Sequence, residues 1–201
     1  FCFANSKDLL TTENLIKQTR EKGTPAMVIH CSMHSFWATF KNGDPKALGS
    51  DYKGQAKADA EEVKKWKAIY PEREFPVWGD FTGIASTGHG PKIPMKVEKC
   101  CEHDATKSLA KEGYTTVNAE LYNNYYLVDG VQPLLRGTQK GKAMRGKDRK
   151  EVLVDDEAII MWQVPQGKSE VVGLTTGHST EEWQQKEFQL LIKDAVNYLL
   201  R

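Results

Sequence analysis

The sequence predicts an α/β fold built around a largely parallel central sheet. Two stretches carry that expectation. Near the start, a helix-forming segment crosses Gly23 into the continuous apolar run PAMVIH (25–30), and near the end the apolar EVVGLT (170–175) leads into a long amphipathic segment. Apolar runs of strand length without polar alternation belong to strands covered on both faces, the habit of parallel sheets. A length of 201 residues with 39% hydrophobic content suits one domain with one sizeable core.

Taken in order, FCFAN (1–5) reads as a short apolar strand, and its lack of a leading methionine gives it the look of a strand interior. Thr11 or Thr12 can cap a helix over 13–21 with Leu15, Ile16 and Thr19 on one face, ended by Gly23. The strand at 25–30 follows, so the opening is a βαβ unit in outline. Residues 51–70, which include GQAKADAEEVKKWKAIY, predict a charged, exposed helix with Val63, Trp66 and Ile69 turned inward. Residues 79–90, rich in glycine and threonine, read as a loop. KIPMKVE (92–98) alternates like a strand, and 132–135 and 157–162 give two more. EVVGLT is the last strand, and 180–200 predict one helix burying Trp183, Phe188, Leu191, Ile192, Val196 and Leu199.

Composition narrows the function. Lysine plus arginine (28) nearly cancels aspartate plus glutamate (27), which leaves no global field for a polyanion or an anionic membrane. Nucleic acid is therefore not an expected partner. The one concentrated basic run, KGKAMRGKDRK (140–150), has no aromatic for base stacking and reads as a solvated loop. No stretch approaches the roughly 20 apolar residues of a membrane helix, and no signal peptide is visible. Cys2, Cys31, Cys100 and Cys101 make neither a disulfide framework nor a CxxC zinc motif.

In open α/β sheets the ligand crevice lies beyond the carboxyl ends of the strands. Two polar stretches occupy that position: His30-Cys31-Ser32-Met33-His34 and Thr175-Thr176-Gly177-His178-Ser179-Thr180. His34 lies one helical turn beyond His30, so the two imidazoles can grip a metal or cap a helix end. Cys31 is either a nucleophile or a small buried hydrophobe. His89, at the end of the glycine-rich TGHGP turn, can reach the crevice, and Trp162 and Trp37 either wall a sugar site or belong to the core.

Five motifs in order, VIHCSMHSFW, WGDFTGIASTGH, His103 ahead of NAELY, MWQV, and VVGLTTGHSTEEWQQKEFQLLIKDAVNYLL, resemble the ThuA-like (trehalose utilisation) family. The resemblance implies a flavodoxin-like three-layer sandwich related to the class I glutamine amidotransferases. It also implies one or two further β-α units ahead of residue 1, which this chain lacks. Aligned with the amidotransferase elbow, His30 takes the nucleophile's place and Cys31 falls one residue later, so glutaminase chemistry is not expected. What the resemblance implies instead is catabolism of trehalose or an oxidised disaccharide by a lyase, isomerase or hydrolase. The ligand is then a carbohydrate held at the strand ends, with room for a homo-oligomer or a larger assembly, in a bacterial periplasm or cytoplasm. Glu120 is the carboxylate of the motif NAELY. On this reading His30, Glu120 and His178 are catalytic, and Cys31, His89, Tyr122 and Trp162 bind substrate. His30, His34 and His178 are candidate ligands of a divalent metal such as zinc. The other outcome is a binding or scaffold domain that keeps the crevice without the chemistry.

Overall fold

The structure is a computed structural model and describes residues 8–35, 60–73, 76–145, 147–148 and 150–201. FCFAN, Trp37 and residues 51–59 of the charged segment lie outside them.

The first helix, α1 (Leu9–Arg20), is capped by Asp8, whose carboxylate accepts from the Thr11 backbone N–H at 2.9 Å and the Thr11 hydroxyl at 2.7 Å. The helix so begins a turn earlier than its apolar spacing indicates, because an aspartate can satisfy the first-turn N–H groups that Thr11 or Thr12 was expected to cap. Strand β1 (Ala26–Ile29) follows, then a 3-10 turn over His30–His34. Next come α2 (Ala60–Ile69), α3 (Trp78–Thr82), β2 (Ile84–Gly88), β3 (Lys96–Lys99), β4 (Tyr114–Thr115) and β5 (Asn124–Leu127). The chain ends with β6 (Gln132–Arg145), β7 (Lys150–Gln166), β8 (Ser169–Leu174), α4 (Thr180–Gln184) and α5 (Lys186–Leu199).

Six strands form one sheet in the order β1-β8-β7-β6-β3-β4, while β2 and β5 pair separately. Among the described residues only β1 and β8 run parallel; the other pairings are antiparallel. The mostly parallel, flavodoxin-like sheet expected from the sequence is therefore not what these strands build. Connection length is the reason. A parallel neighbour needs a crossover of about a dozen residues or more, whereas only Gly167 and Lys168 join β7 to β8. Gly167 adopts a φ of +59° in that turn, a backbone conformation that glycine reaches without steric cost.

The run at 140–150 is likewise not a loop. Residues 140–145 and Lys150 belong to the long β6/β7 ribbon, where Lys140 pairs with Asp155 at 3.2 Å and Lys142 with Glu151 at 2.8 Å. Residues 79–90 hold α3 and β2 rather than a loop, with Gly83 turning between them.

Helices cover both faces of the sheet. On one side Phe188, Leu191, Ala195 and Tyr198 of α5 pack over Val97, Leu135, Ile160, Val172 and Leu174. On the other, Ile16 of α1 and Trp78 and Phe81 of α3 pack over Ile159, Trp162, Val164 and Val171. Trp162 lies flat enough on β8 that a Cβ at Gly173 would fall 2.1 Å from its ring. The expected single C-terminal helix breaks at Gln185, whose side chain accepts from the Val117 N–H and donates to the Thr115 carbonyl. Trp183 (44% exposed) and Val196 (40%) face outward, against expectation. In α2, Trp66 is buried as expected, but Ile69 is 54% exposed, and the side chain of Val63 is not among those described.

Candidate active site

The site begins with a strained turn. His30 leaves β1 with a φ of +50°, the one positive φ of a non-glycine residue among the described residues. That conformation costs an L-residue free energy and persists where surrounding contacts hold it, which makes it a marker of function. Here the contacts are specific. The Ser32 hydroxyl accepts from the Ile29 N–H at 2.7 Å and donates to the Ile29 carbonyl at 2.8 Å, while the Trp78 indole N–H donates to the Ser32 carbonyl at 2.9 Å. A sharp strand-to-helix turn of this kind lifts its side chain above the sheet.

A second turn faces it. Beyond β8, the buried carboxylate of Glu182 accepts from the backbone N–H groups of Gly177, His178 and Ser179 at 3.0, 2.8 and 3.1 Å. Ser179 completes a reciprocal cap by accepting from the Glu182 N–H. Gly177, at φ +110°, lets the turn pass over Phe188 and Ile29, and so aims His178 at His30.

The donors and acceptors assign the ring protons. His30 Nδ1 lies 2.9 Å from the Thr175 carbonyl, which can only accept, so Nδ1 carries a proton, and burial, which disfavours the charged ring, leaves Nε2 without one. His178 Nδ1 lies 3.1 Å from that bare Nε2 and must donate to it. His178 Nε2 is then an acceptor, and the atom it meets is Nζ of Lys92, which can only donate. Both imidazoles are consistently neutral in this chain of contacts.

Glu120 sits at the centre of the cluster with its side chain 5% exposed. Its Oε1 lies 3.2 Å from Lys92 Nζ and 3.5 Å from both His89 Nε2 and His178 Nδ1, and its Oε2 lies 3.7 Å from His30 Nε2. The Tyr122 hydroxyl donates to Oε2 at 3.2 Å. Tyr122 also packs edge-on to the rings of His30 and His89. Burial pushes the Glu120 carboxyl up, but His89, Lys92 and His178 together outweigh burial and hold it below its ordinary value. Burial also dominates at His30, and there it wins: the imidazole is held below its ordinary value against the opposing pull of the Thr175 carbonyl and Glu120.

The structure thus brings together His30, Glu120, His178, His89 and Tyr122. Cys31 follows His30 in the turn, half-buried. The His34 side chain lies outside what is described; Glu120 instead joins His30 and His178 in a trio whose donor atoms lie within 4.8 Å of one another. Trp162 is elsewhere. It is fully buried under the sheet face that carries α3, and its indole N–H donates to the Thr82 carbonyl at 2.6 Å, so no sugar face can reach it. His103 caps a short turn over Asp104–Thr106 and packs on Tyr198, away from the cluster.

Two residues that the sequence reading passed over matter here. Glu182 was open to recognition, because S-T-E-E ahead of an apolar stripe is a capping-box pattern. Lys92 carries no such signal. It belongs to the strand-like run KIPMKVE, and only the tertiary fold lays it across Glu120 and His178. Lys92 also lines a cavity of about 610 Å³ with Asn118, Lys142, Met144 and Glu151, on the side of the β6/β7 ribbon; His30, Glu120 and His178 do not line it.

Among solved structures, a ThuA-like protein from Bacteroides uniformis is similar to this chain with a TM-score of 0.54 and 19% identity, covering 92% of this chain and 62% of that one. The fold is ThuA-like. The ThuA-like fold here spans about 62% of that neighbour's length. A cytoplasmic protein of Salmonella typhimurium LT2 is similar with a TM-score of 0.49 and 11% identity, covering 94% of this chain and 59% of that one. No family model and no curated protein matches the sequence.

Proposed function

We propose that this protein acts on an oxidised sugar glycoside by moving a proton next to a keto group. The observation that carries the reading is the buried Glu120 carboxylate beneath two neutral, hydrogen-bonded imidazoles, one of them raised on a strained turn. His178, with its side chain 40% exposed, is the imidazole a ligand meets, and His30 and Glu120 lie behind it. A base oriented by a buried acceptor and backed by a carboxylate is the arrangement of general acid-base catalysis.

In this reading His178 Nε2 takes the proton from the carbon beside the ketone, and the C–H electron pair moves onto the carbonyl oxygen. Glu120 offsets the positive charge on His178. For isomerisation the neighbouring hydroxyl passes its proton to the enolate oxygen and becomes the new carbonyl, while His178 returns its proton to the former carbonyl carbon. For cleavage the enolate oxygen re-forms the ketone, the C=C bond shifts one carbon on, and the glycosidic oxygen leaves from that carbon with the proton held by His178. The ThuA-like fold and the exposure of His178 above the buried Glu120 support a small-molecule ligand of this kind.

The test is hydrogen exchange in heavy water. A keto-glycoside should take up deuterium at the carbon next to the ketone with the wild-type protein and lose that uptake in His178→Gln and Glu120→Gln. The rate should be full at neutral pH and fall once acid protonates His30, since a proton on His30 Nε2 removes the acceptor that orients His178. That takes a pH below the ordinary value of His30, because burial disfavours its charged form. Binding of the keto-glycoside without exchange or cleavage would instead favour a non-catalytic carbohydrate-binding domain.

A further inference from the structure

We propose that Lys92 is the resident cation of this site and occupies the electrostatic position that a divalent metal would otherwise take. The inference rests on the proton-transfer reading for its chemistry, but its geometry stands alone. His30 Nε2, His178 Nδ1 and a Glu120 oxygen lie close enough to hold a metal, with donor atoms within 4.8 Å of one another. The surroundings oppose one. A metal-bound imidazole passes its other N–H to a carboxylate, a carbonyl or water. If His178 Nδ1 bound a metal, Nε2 would carry that hydrogen and would have to point it at Lys92 Nζ, which has no lone pair to accept it when charged. Lys92 would also sit 3.2 Å from the carboxylate oxygen that a metal would use, adding a second cation at one anion.

The same placement gives Lys92 a task. Its side chain is 46% exposed while Glu120 is 5% exposed, and it meets both the carboxylate and the Nε2 of the half-exposed His178, so it stands on the solvent side of the catalytic carboxylate, where a ligand approaches. When a proton leaves the carbon beside the ketone, negative charge builds on the carbonyl oxygen. A lysine N–H swung from His178 Nε2 onto that oxygen both frees the base and stabilises the charge, the work otherwise done by a Lewis-acidic metal.

Cobalt(II) chloride, followed by its visible absorption and by elemental analysis after gel filtration, tests this without any substrate. Wild type and Lys92→Arg should hold no stoichiometric cobalt. Lys92→Gln, which removes the cation but keeps a polar side chain, should take up one equivalent at least about 10- to 100-fold more tightly than wild type, the scale of effects from groups around a metal. Adding His30→Ala to that variant should abolish the uptake. In the exchange assay Lys92→Gln should lose turnover and Lys92→Arg should restore part of it. One tightly held metal in the wild type that disappears in His30→Ala overturns the proposal, and so does a Lys92→Gln protein that folds with native circular dichroism and binds no cobalt. Metal uptake is read independently of exchange, so failure of this inference and failure of the proton-transfer reading give different results.

Discussion

Glu120 and Asp155 are both carboxylates whose oxygens lie 3.2 Å from a lysine Nζ, yet they do different things. Asp155 pairs with Lys140 on the outer face of the β6/β7 ribbon, where the two side chains are 76% and 69% exposed. Water solvates both charges, salt screens them, and such pairs contribute little. The Glu120 side chain is 5% exposed, and one lysine, three histidines and a tyrosine surround it. Distance alone does not separate these pairs. Burial does, because a low local dielectric strengthens each contact and makes loss of any one costly.

The comparison can be broken by substitution, beginning where the effect is largest. Glu120→Ala should lower turnover by about 10²- to 10⁴-fold, the usual share of a positioned acid-base group, as measured by the exchange assay. If activity survives within about threefold, Glu120 is a structural anion and the contrast with Asp155 collapses. Glu182→Ala comes next. It removes the acceptor of three backbone N–H groups and should cost about 1–3 kcal/mol in urea unfolding, while lowering turnover because His178 loses its fixed turn. The smallest effect belongs to Lys140→Ala, expected within about 0.5 kcal/mol of wild type and shrinking further with added salt. A loss above about 2 kcal/mol there would mean that the ribbon pair contributes as much as a buried one.

Much of this was legible in the residues. The strand PAMVIH, the last strand EVVGLT, and the two polar turns bearing His30 and His178 lie where apolar runs give way to polar residues, and that pattern is local. NAELY drew attention to Glu120 through the family resemblance. The errors share one cause. Apolar periodicity tells that a segment is a strand but not which neighbour it pairs with, so β6, β7 and β8 were placed in a parallel sheet although the turn at Gly167 and Lys168 is too short for a crossover. Trp162 read equally well as a sugar platform or as core, because an indole's role depends on what lies across from it, here Gly173 and the Thr82 carbonyl.

The sequence by itself determined the elements at both ends of the chain and the two histidine turns, since backbone propensity, capping and apolar period act over a few residues. Only the tertiary structure decided the strand directions, the positive φ of His30, and the meeting of Lys92 with Glu120 and His178 across 28 and 86 positions of the chain. Those contacts join segments with no local signal for one another, and burial, which gives them their strength, exists only once the chain has folded.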